Sequence, residues 1–245
     1  MLKMFPKEYL LDSYKFATTA TVLAQIAAEP DFKVKLSNTV FHPQGGGQPN
    51  DTGEIIQNEI VFKIKSAELD KTDNLLWHVG NYINGQSFQL GTEVEVRISE
   101  EARRFHARLH SAGHLLDIAV QRLGYPLVPG KGYHFPEGSY VEYVGNLPDR
   151  DAALASLNIE CAKIIEETKE EVSVNLFTIE EAQKLFTVPA FLLADEFVRF
   201  VKLTQEDHGC PCGGTHVKHV NEISRIQVTR LQKKGKNLRV SYKLD

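Results

Sequence analysis

Cysteine is scarce in this chain, with three in 245 residues. So small and odd a number argues against a disulfide framework. No apolar run approaches the roughly 20 residues that cross a bilayer as a helix. The first residues, MLKMFPKEYLLDSYKF, hold no continuous apolar stretch of the signal-peptide kind, because Lys3, Lys7, Glu8 and Asp12 interrupt it. A cytoplasmic location is the expectation that follows. Internal repeats, low-complexity tracts and a phosphate loop of the GxxxxGK(S/T) type are also lacking. What remains is ordinary globular usage, 42% hydrophobic and 24% charged, in a chain long enough for one large domain or two smaller ones.

Positive charge is not in excess, since the net charge is −4. Its distribution is uneven. From Lys218 onward come Arg225, Arg230, Lys233, Lys234, Lys236, Arg239 and Lys243, against only Glu222 and Asp245. A second group is formed by Arg97, Arg103, Arg104 and Arg108. Local basic faces of this kind can track a phosphate backbone. From charge alone, a solvated face is the slightly better reading.

To about Ser99 the pattern is mostly β. DFKVKLS, VFKIKS and TEVEVRIS alternate apolar and polar residues with a period of two, the mark of half-buried strands. PQGGGQPNDTG, KTDN and NGQ are turn signals between them. Several short strands without long helices predict a small antiparallel barrel.

At Ser99 the period changes. Ser99 is placed to cap a helix whose first turn carries Glu100 and Glu101. Phe105, Leu109, Leu116, Val120 and Leu123 recur at helical spacing, and Gly124 with Pro126 marks the stop. GSYVEYVGN reads as a strand. A second helix follows over PDRDAALASLNIECAKIIEETKE, starting at Asp149 or Asp151. TIEEAQKLF opens on a capping box, Thr178 with Glu181. The end reads as a hairpin around Lys234, Gly235 and Lys236. The expected fold is α+β: a β-barrel domain over 1–98, then a domain over 99–245 with helices packed on a sheet.

HSAGH places His110 and His114 four residues apart, one turn apart on one helical face, so both can reach a common metal. Ser111 follows His110, so the glutamate of the H-E-x-x-H proteases is absent. CGGTH supplies Cys212 and His216, with Gly213 and Gly214 between to let the backbone fold tightly. Three imidazoles and one thiolate make a complete tetrahedral zinc set from two distant segments. Either pair alone is ambiguous. Cys161, in an apolar-periodic segment, reads as a buried small hydrophobe. Cys210 and Cys212 lack the two-residue spacing of a redox motif.

Together HSAGH and CGGTH resemble the HxxxH and CxxxH pair of the alanyl-tRNA editing family, which includes synthetase editing domains and free-standing AlaX proteins. TVFHPQGGGQPNDTG resembles the glycine-rich signature of the medium-length free-standing members. The resemblance spans residues 39 to about 219. It implies a zinc-dependent hydrolase that cleaves the ester of misacylated tRNA(Ala), chiefly Ser-tRNA(Ala), with Gly-tRNA(Ala) as a second candidate. It carries His110, His114, Cys212 and His216 over as metal ligands. It also turns Gly45, Gly46, Gly47 and Gln48, otherwise a tight turn, towards the selection of the aminoacyl group. Thr39 would then offer its hydroxyl to a seryl side chain, since a site that hydrogen-bonds a hydroxyl rejects analogues lacking it. His42 and Gln44 stand where Tyr and Glu are common in the family, and Pro136 stands where synthetase editing domains tend to carry Gln.

With no room for ATP chemistry, a trans-acting editor of tRNA translation fidelity is expected rather than a synthetase. The long C-terminal extension of the larger members has no counterpart here, so tRNA affinity is expected to rest on the core domain and its basic patches. His208 is a candidate general base, and Thr215 a candidate to orient water. Asp117, one turn after His114, is a candidate to fix that imidazole's tautomer. His106 reads as a helix-surface histidine, and His78 and His134 carry no argument. The alternatives are deacylation of another tRNA, such as Ser-tRNA(Thr), and a non-catalytic zinc-stabilised tRNA-binding module.

Overall fold

A computed structural model describes residues 7–193 and 197–245. Lys3, one of the charges that interrupt the N-terminal stretch, lies outside them. The chain divides into two compact units, Met1–Phe105 and His106–Asp245, and the architecture is α+β.

The first unit is a closed antiparallel barrel. Its strands are β1 (Ala17–Ala28), β2 (Asp31–Leu36), β3 (Gly53–Gln57), β4 (Ile60–Leu69), β5 (Leu76–Tyr82) and β6 (Glu93–Ile98), in the order β1-β2-β5-β4-β3-β6. Alternation supplies its interior: Val34 and Leu36 from β2, Phe62 and Ile64 from β4, Val94 and Val96 from β6. Closure leaves no sheet edge to be covered. His78 of β5 is fully buried inside. Its Nδ1 lies 3.2 Å from the Val34 carbonyl, which can only accept. That nitrogen therefore carries the proton, and Nε2 accepts the Thr39 hydroxyl at 2.9 Å.

The helix α1 (Glu100–Arg122) starts where Ser99 Oγ accepts the Ala102 N–H at 3.2 Å. It ends at Gly124, in the left-handed region at φ 65°. The predicted apolar stripe is present from Leu109 onward, where Leu109, Leu116 and Val120 are buried. Phe105 departs from it and is 37% exposed.

The arginine group read as a basic face is otherwise employed. Arg103 is fully buried against Asp51, with further bonds to the carbonyls of Ser13 (2.9 Å) and Val40 (2.5 Å). Arg97 is paired with Glu95, and Arg104 with Glu100. Arg108 binds the Ile223 carbonyl at 3.2 Å. Arg97, Arg103 and Arg104 are thus each offset by a carboxylate, whereas Arg108, bonded to a carbonyl, keeps its charge.

In the second unit, β7 (Val128–Tyr133), β8 (Ser139–Val144), β12 (Ile226–Lys234) and β13 (Asn237–Leu244) form a sheet of order β12-β13-β8-β7. Val141, Tyr143, Val240 and Tyr242 share one core with Leu115 and Ala119 of α1 and with Leu157, Cys161 and Ile164 of α2 (Arg150–Glu167). Asp149 caps α2 through Ala152 N–H at 2.9 Å. Burial pushes the Cys161 thiol up to about 12, as an inert core cysteine requires. A second sheet of order β11-β10-β9 joins β9 (Ser173–Thr178), β10 (Phe197–Lys202) and the short β11 (Cys210–Pro211). The capping box of Thr178 and Glu181 opens α3 (Ile179–Leu185). Among the described residues no helix is long and apolar enough to cross a membrane.

Candidate metal centre

His110 and His114 project from one face of α1, as their spacing dictates. Cys212 is delivered from the other side by the β10–β11 ladder, which continues one step further through Cys212 N–H to the Arg199 carbonyl (3.0 Å). The Arg199 side chain, 6% exposed, then binds the carbonyls of Cys212 (2.7 Å) and Gly214 (2.9 Å). One arginine thus ties the start of the Cys212–His216 turn to β10. Gly213 is less constrained than expected: a Cβ there would meet nothing within 4 Å, and its φ is not positive.

The donor atoms of His110, His114, Cys212 and His216 all lie within 4.8 Å of one another. Cys212 Sγ is 3.4 Å from His110 Nε2 and 3.3 Å from His216 Nε2. A tetrahedral ion bound at roughly 2.3 Å to sulfur and 2.0–2.1 Å to nitrogen needs about 3.5 Å between those atoms. The donor set therefore fits a zinc-type cation. Electrostatics favour the ligating form at Cys212, whereas at His114 they favour the protonated ring, whose proton a cation must displace. Burial opposes charge on His114, yet the Cys212 thiolate, with Cys210, raises its pKa well above the usual value. Burial likewise opposes the Cys212 thiolate, but His114 and Arg199 hold its pKa below the ordinary range.

The nitrogens facing away from the centre are held too. His216 Nδ1 lies 3.1 Å from Ser111 Oγ, which also accepts the Val217 N–H at 3.1 Å. The second serine of this role is a thiol: Cys210 Sγ is 3.6 Å from His114 Nδ1. Asp117, expected there, instead accepts the Tyr143 hydroxyl at 2.6 Å. Desolvation raises its pKa to about 6, against the lowering effects of that bond and of His114. Outer partners of this kind orient metal-binding imidazoles and fix their tautomers.

His134 is the residue that sequence reasoning passed over. Its ring stacks on His110 at 4.5 Å and 22°. The Tyr242 hydroxyl donates to the Leu109 carbonyl (2.9 Å), so His134 Nδ1 must donate to Tyr242 Oη across 2.6 Å. Burial, then the positive His114, lowers the His134 pKa to about 3, and the ring is neutral. Gly113 makes the approach possible, since a Cβ there would lie 2.4 Å from His134 Cε1. The glycine inside HSAGH was the available signal.

The remaining candidates are dispersed in character. Thr215 and His216 are buried, His208 is exposed, and His106 is buried rather than on the helix surface. Gly45 and Gln48 exchange two backbone hydrogen bonds (3.1 and 2.9 Å) around Gly46 and Gly47, whose φ values are 57° and 78°. Two positive φ angles define a primed hairpin turn, which glycine alone adopts freely. Gln48 is buried, with Nε2 3.5 Å from His42 Nδ1. Thr39 is buried as well, and accepts the Phe41 N–H at 3.0 Å while its proton serves His78.

Comparison with known proteins converges on the same two regions. The family described as tRNA synthetases class II (A) matches residues 11–102. The threonyl and alanyl tRNA synthetase second additional domain matches residues 198–239, which include Arg199 and the Cys212–His216 turn. The alanyl-tRNA editing protein AlaX-L of Pyrococcus horikoshii is 30% identical over 96% of this chain, which spans only 56% of that relative's length. An alanine–tRNA ligase of Leptospira borgpetersenii is 31% identical over 82% of this chain and 21% of its own. AlaX-M of Methanosarcina barkeri is 30% identical over 96% of both chains. With that match running nearly end to end, the chain belongs to the alanyl-tRNA editing family.

Proposed function

We propose that this chain is a zinc-dependent aminoacyl-tRNA deacylase, which hydrolyses the ester of misacylated tRNA(Ala), chiefly Ser-tRNA(Ala). The observation that carries the reading is the convergence of His110, His114, Cys212 and His216 within 4.8 Å, in a chain similar to proteins named for alanyl-tRNA editing. Zinc held by those four residues supplies a Lewis acid for an ester carbonyl.

The chain's own residues do the rest. Ser111 and Cys210 keep His216 and His114 turned so that Nε2 faces the centre. Neutral His134 covers one face of His110 without adding a charge that would repel a cation. His208, exposed to solvent, has the access that proton exchange with water requires, and Thr215 is assigned to the orientation of water from within the motif. Selection of the aminoacyl group is assigned to the Gly45–Gln48 turn. Thr39 is assigned to the seryl side chain as an acceptor, because its own hydroxyl proton is committed to His78.

The test is deacylation of Ser-tRNA(Ala), Gly-tRNA(Ala), Ala-tRNA(Ala) and Ser-tRNA(Thr) by the wild type and by Cys212→Ala, with zinc content measured on both. Expected are hydrolysis of Ser-tRNA(Ala) well above Ala-tRNA(Ala), and loss of zinc and activity together in the variant. Undiminished hydrolysis by Cys212→Ala would remove the metal from the reading. Preference for Ser-tRNA(Thr) would reassign the substrate, and tRNA binding without hydrolysis would make the chain a binding module.

A further inference from the structure

The sheet β12-β13-β8-β7 buries one face, through Val228, Leu238, Val240, Tyr242, Val141 and Tyr143. Register places different chemistry on the other. Arg239 pairs with Glu142, Ser241 with Tyr140, Arg230 with Ser241, Lys234 with Asn237 and Tyr133 with Tyr140. Because side chains alternate across a strand, these residues share the open face with Lys243. Its one carboxylate, Glu142, is bound to Arg239 at 2.7 Å. Arg230, Lys234 and Lys243 are exposed and form no ion pair among the described residues.

Beside the cations runs an aromatic stack. Tyr133 lies between Phe135, at 4.3 Å, and Tyr140, at 5.1 Å, both interplanar angles being 15°. The Arg239 guanidinium covers the far side of Tyr140 at 3.9 Å. Both faces of Tyr133 and of Tyr140 are thus occupied, whereas no second ring or cation stacks on Phe135 among the described residues. The half-buried Phe135 is therefore the terminal ring of a four-member stack. Tyr133 and Phe135 flank His134, whose side chain stacks on the metal-ligand candidate His110. One three-residue segment therefore joins the open face to the metal centre.

We infer that this face is a single-stranded RNA platform: a base stacks on Phe135 as the continuation of the aromatic row, and Arg230, Lys234 and Lys243 neutralise the phosphates that lead to it. Stacking on aromatic ends combined with a basic track is how proteins hold unpaired nucleic acid without reading its sequence. The inference rests on the proposed deacylase activity, for which the unpaired 3′ end of the tRNA must enter the metal centre. An acidic protein segment would use the cations but has no need of the stack.

Fluorescence anisotropy with a labelled, uncharged RNA ending in the single-stranded 3′ end of a tRNA tests it. Phe135→Ala and the volume-conserving Phe135→Leu should each weaken binding by about tenfold, the loss of one stacked base. Arg230→Gln with Lys234→Gln should flatten the dependence of log affinity on log salt by about 0.7 per charge removed. In the deacylation assay the Phe135 variants should raise KM while kcat holds. Unchanged RNA affinity in both Phe135 variants, or an unchanged salt slope in the charge variant, overturns the platform. So does a polyglutamate peptide that competes with RNA and loses affinity only in the charge variant. Wild-type protein that binds the RNA with these sensitivities but hydrolyses no seryl ester supports the platform and overturns the deacylase reading alone.

Discussion

Cys210 stands at His114 in the place that a carboxylate or a carbonyl usually takes behind a metal-binding imidazole. A thiol there is a weaker acceptor, but it is held in β11, whose pairing with β10 continues through the Cys212 N–H to the Arg199 carbonyl. Removing it frees the His114 ring to turn without deleting a ligand. Cys210→Ala should weaken zinc binding by about tenfold, the lower end of the effect of losing such a partner. Competition against a chromophoric chelator measures this, and unchanged affinity would show that the contact orients nothing. Cys210 could be separated from the ligand set on the sequence alone, since the CxxxH spacing begins at Cys212. Its contact with His114 could not, because the two are 96 residues apart and only the β10–β11 pairing brings them together. His134 was hidden for the same reason, as its partners Gly113 and Tyr242 sit on other elements.

Elements were legible where one face was buried and the other wet. β6 and the middle of β4 alternate cleanly, β2 less so because Phe32 is 40% exposed and Lys35 is buried between Val34 and Leu36. The helices α1, α2 and α3 announce themselves by caps at Ser99, Asp149 and Thr178. β5 does not alternate, because His78, Val79 and Gly80 are buried in succession. Gly80 lies so close to β4 that a Cβ would meet the Lys63 carbonyl at 1.9 Å. β7, VPGKGY, carries no alternation of its own and is a strand through pairing with β8, with a bulge between Pro129 and Gly132. The buried His78 of β5 has a consequence for the barrel. Desolvation lowers its pKa from 6.5 to about 4, against the raising effect of its bond to Val34. The unfolded chain therefore takes up the proton first as pH falls. The stabilisation is complete above about pH 6.5 and is lost on the way down to about pH 4, with a ceiling of roughly 3 kcal/mol. His78→Gln keeps one donor and one acceptor but cannot titrate. Urea unfolding at pH 7 and pH 4.5 should show a smaller acid loss in that variant; an equal loss would clear His78 of any part in acid sensitivity.

At the scale of the whole molecule there are two hydrophobic cores, one inside the barrel and one between α1, α2 and the four-stranded sheet. The metal donors all belong to the second, where an ion would tie α1 to the segment after β10. An ion that binds only the folded state adds about 2.7 kcal/mol when present at a hundred times its dissociation constant. For a unit of this size that is a shift of about 10 °C in midpoint. The chain carries probes that separate the two units. Its single tryptophan, Trp77, lies in β5 of the barrel, whereas α2, α3 and most of α1 belong to the second unit. Chelation of the zinc-loaded protein should therefore lower the midpoint read by helical circular dichroism by about 10 °C while tryptophan fluorescence moves far less. His78→Gln should do the reverse, changing the acid response seen by fluorescence ahead of that seen by the helices. If chelation moves both signals together, the two cores unfold as one cooperative body, and the metal stabilises the barrel as firmly as the unit that holds it.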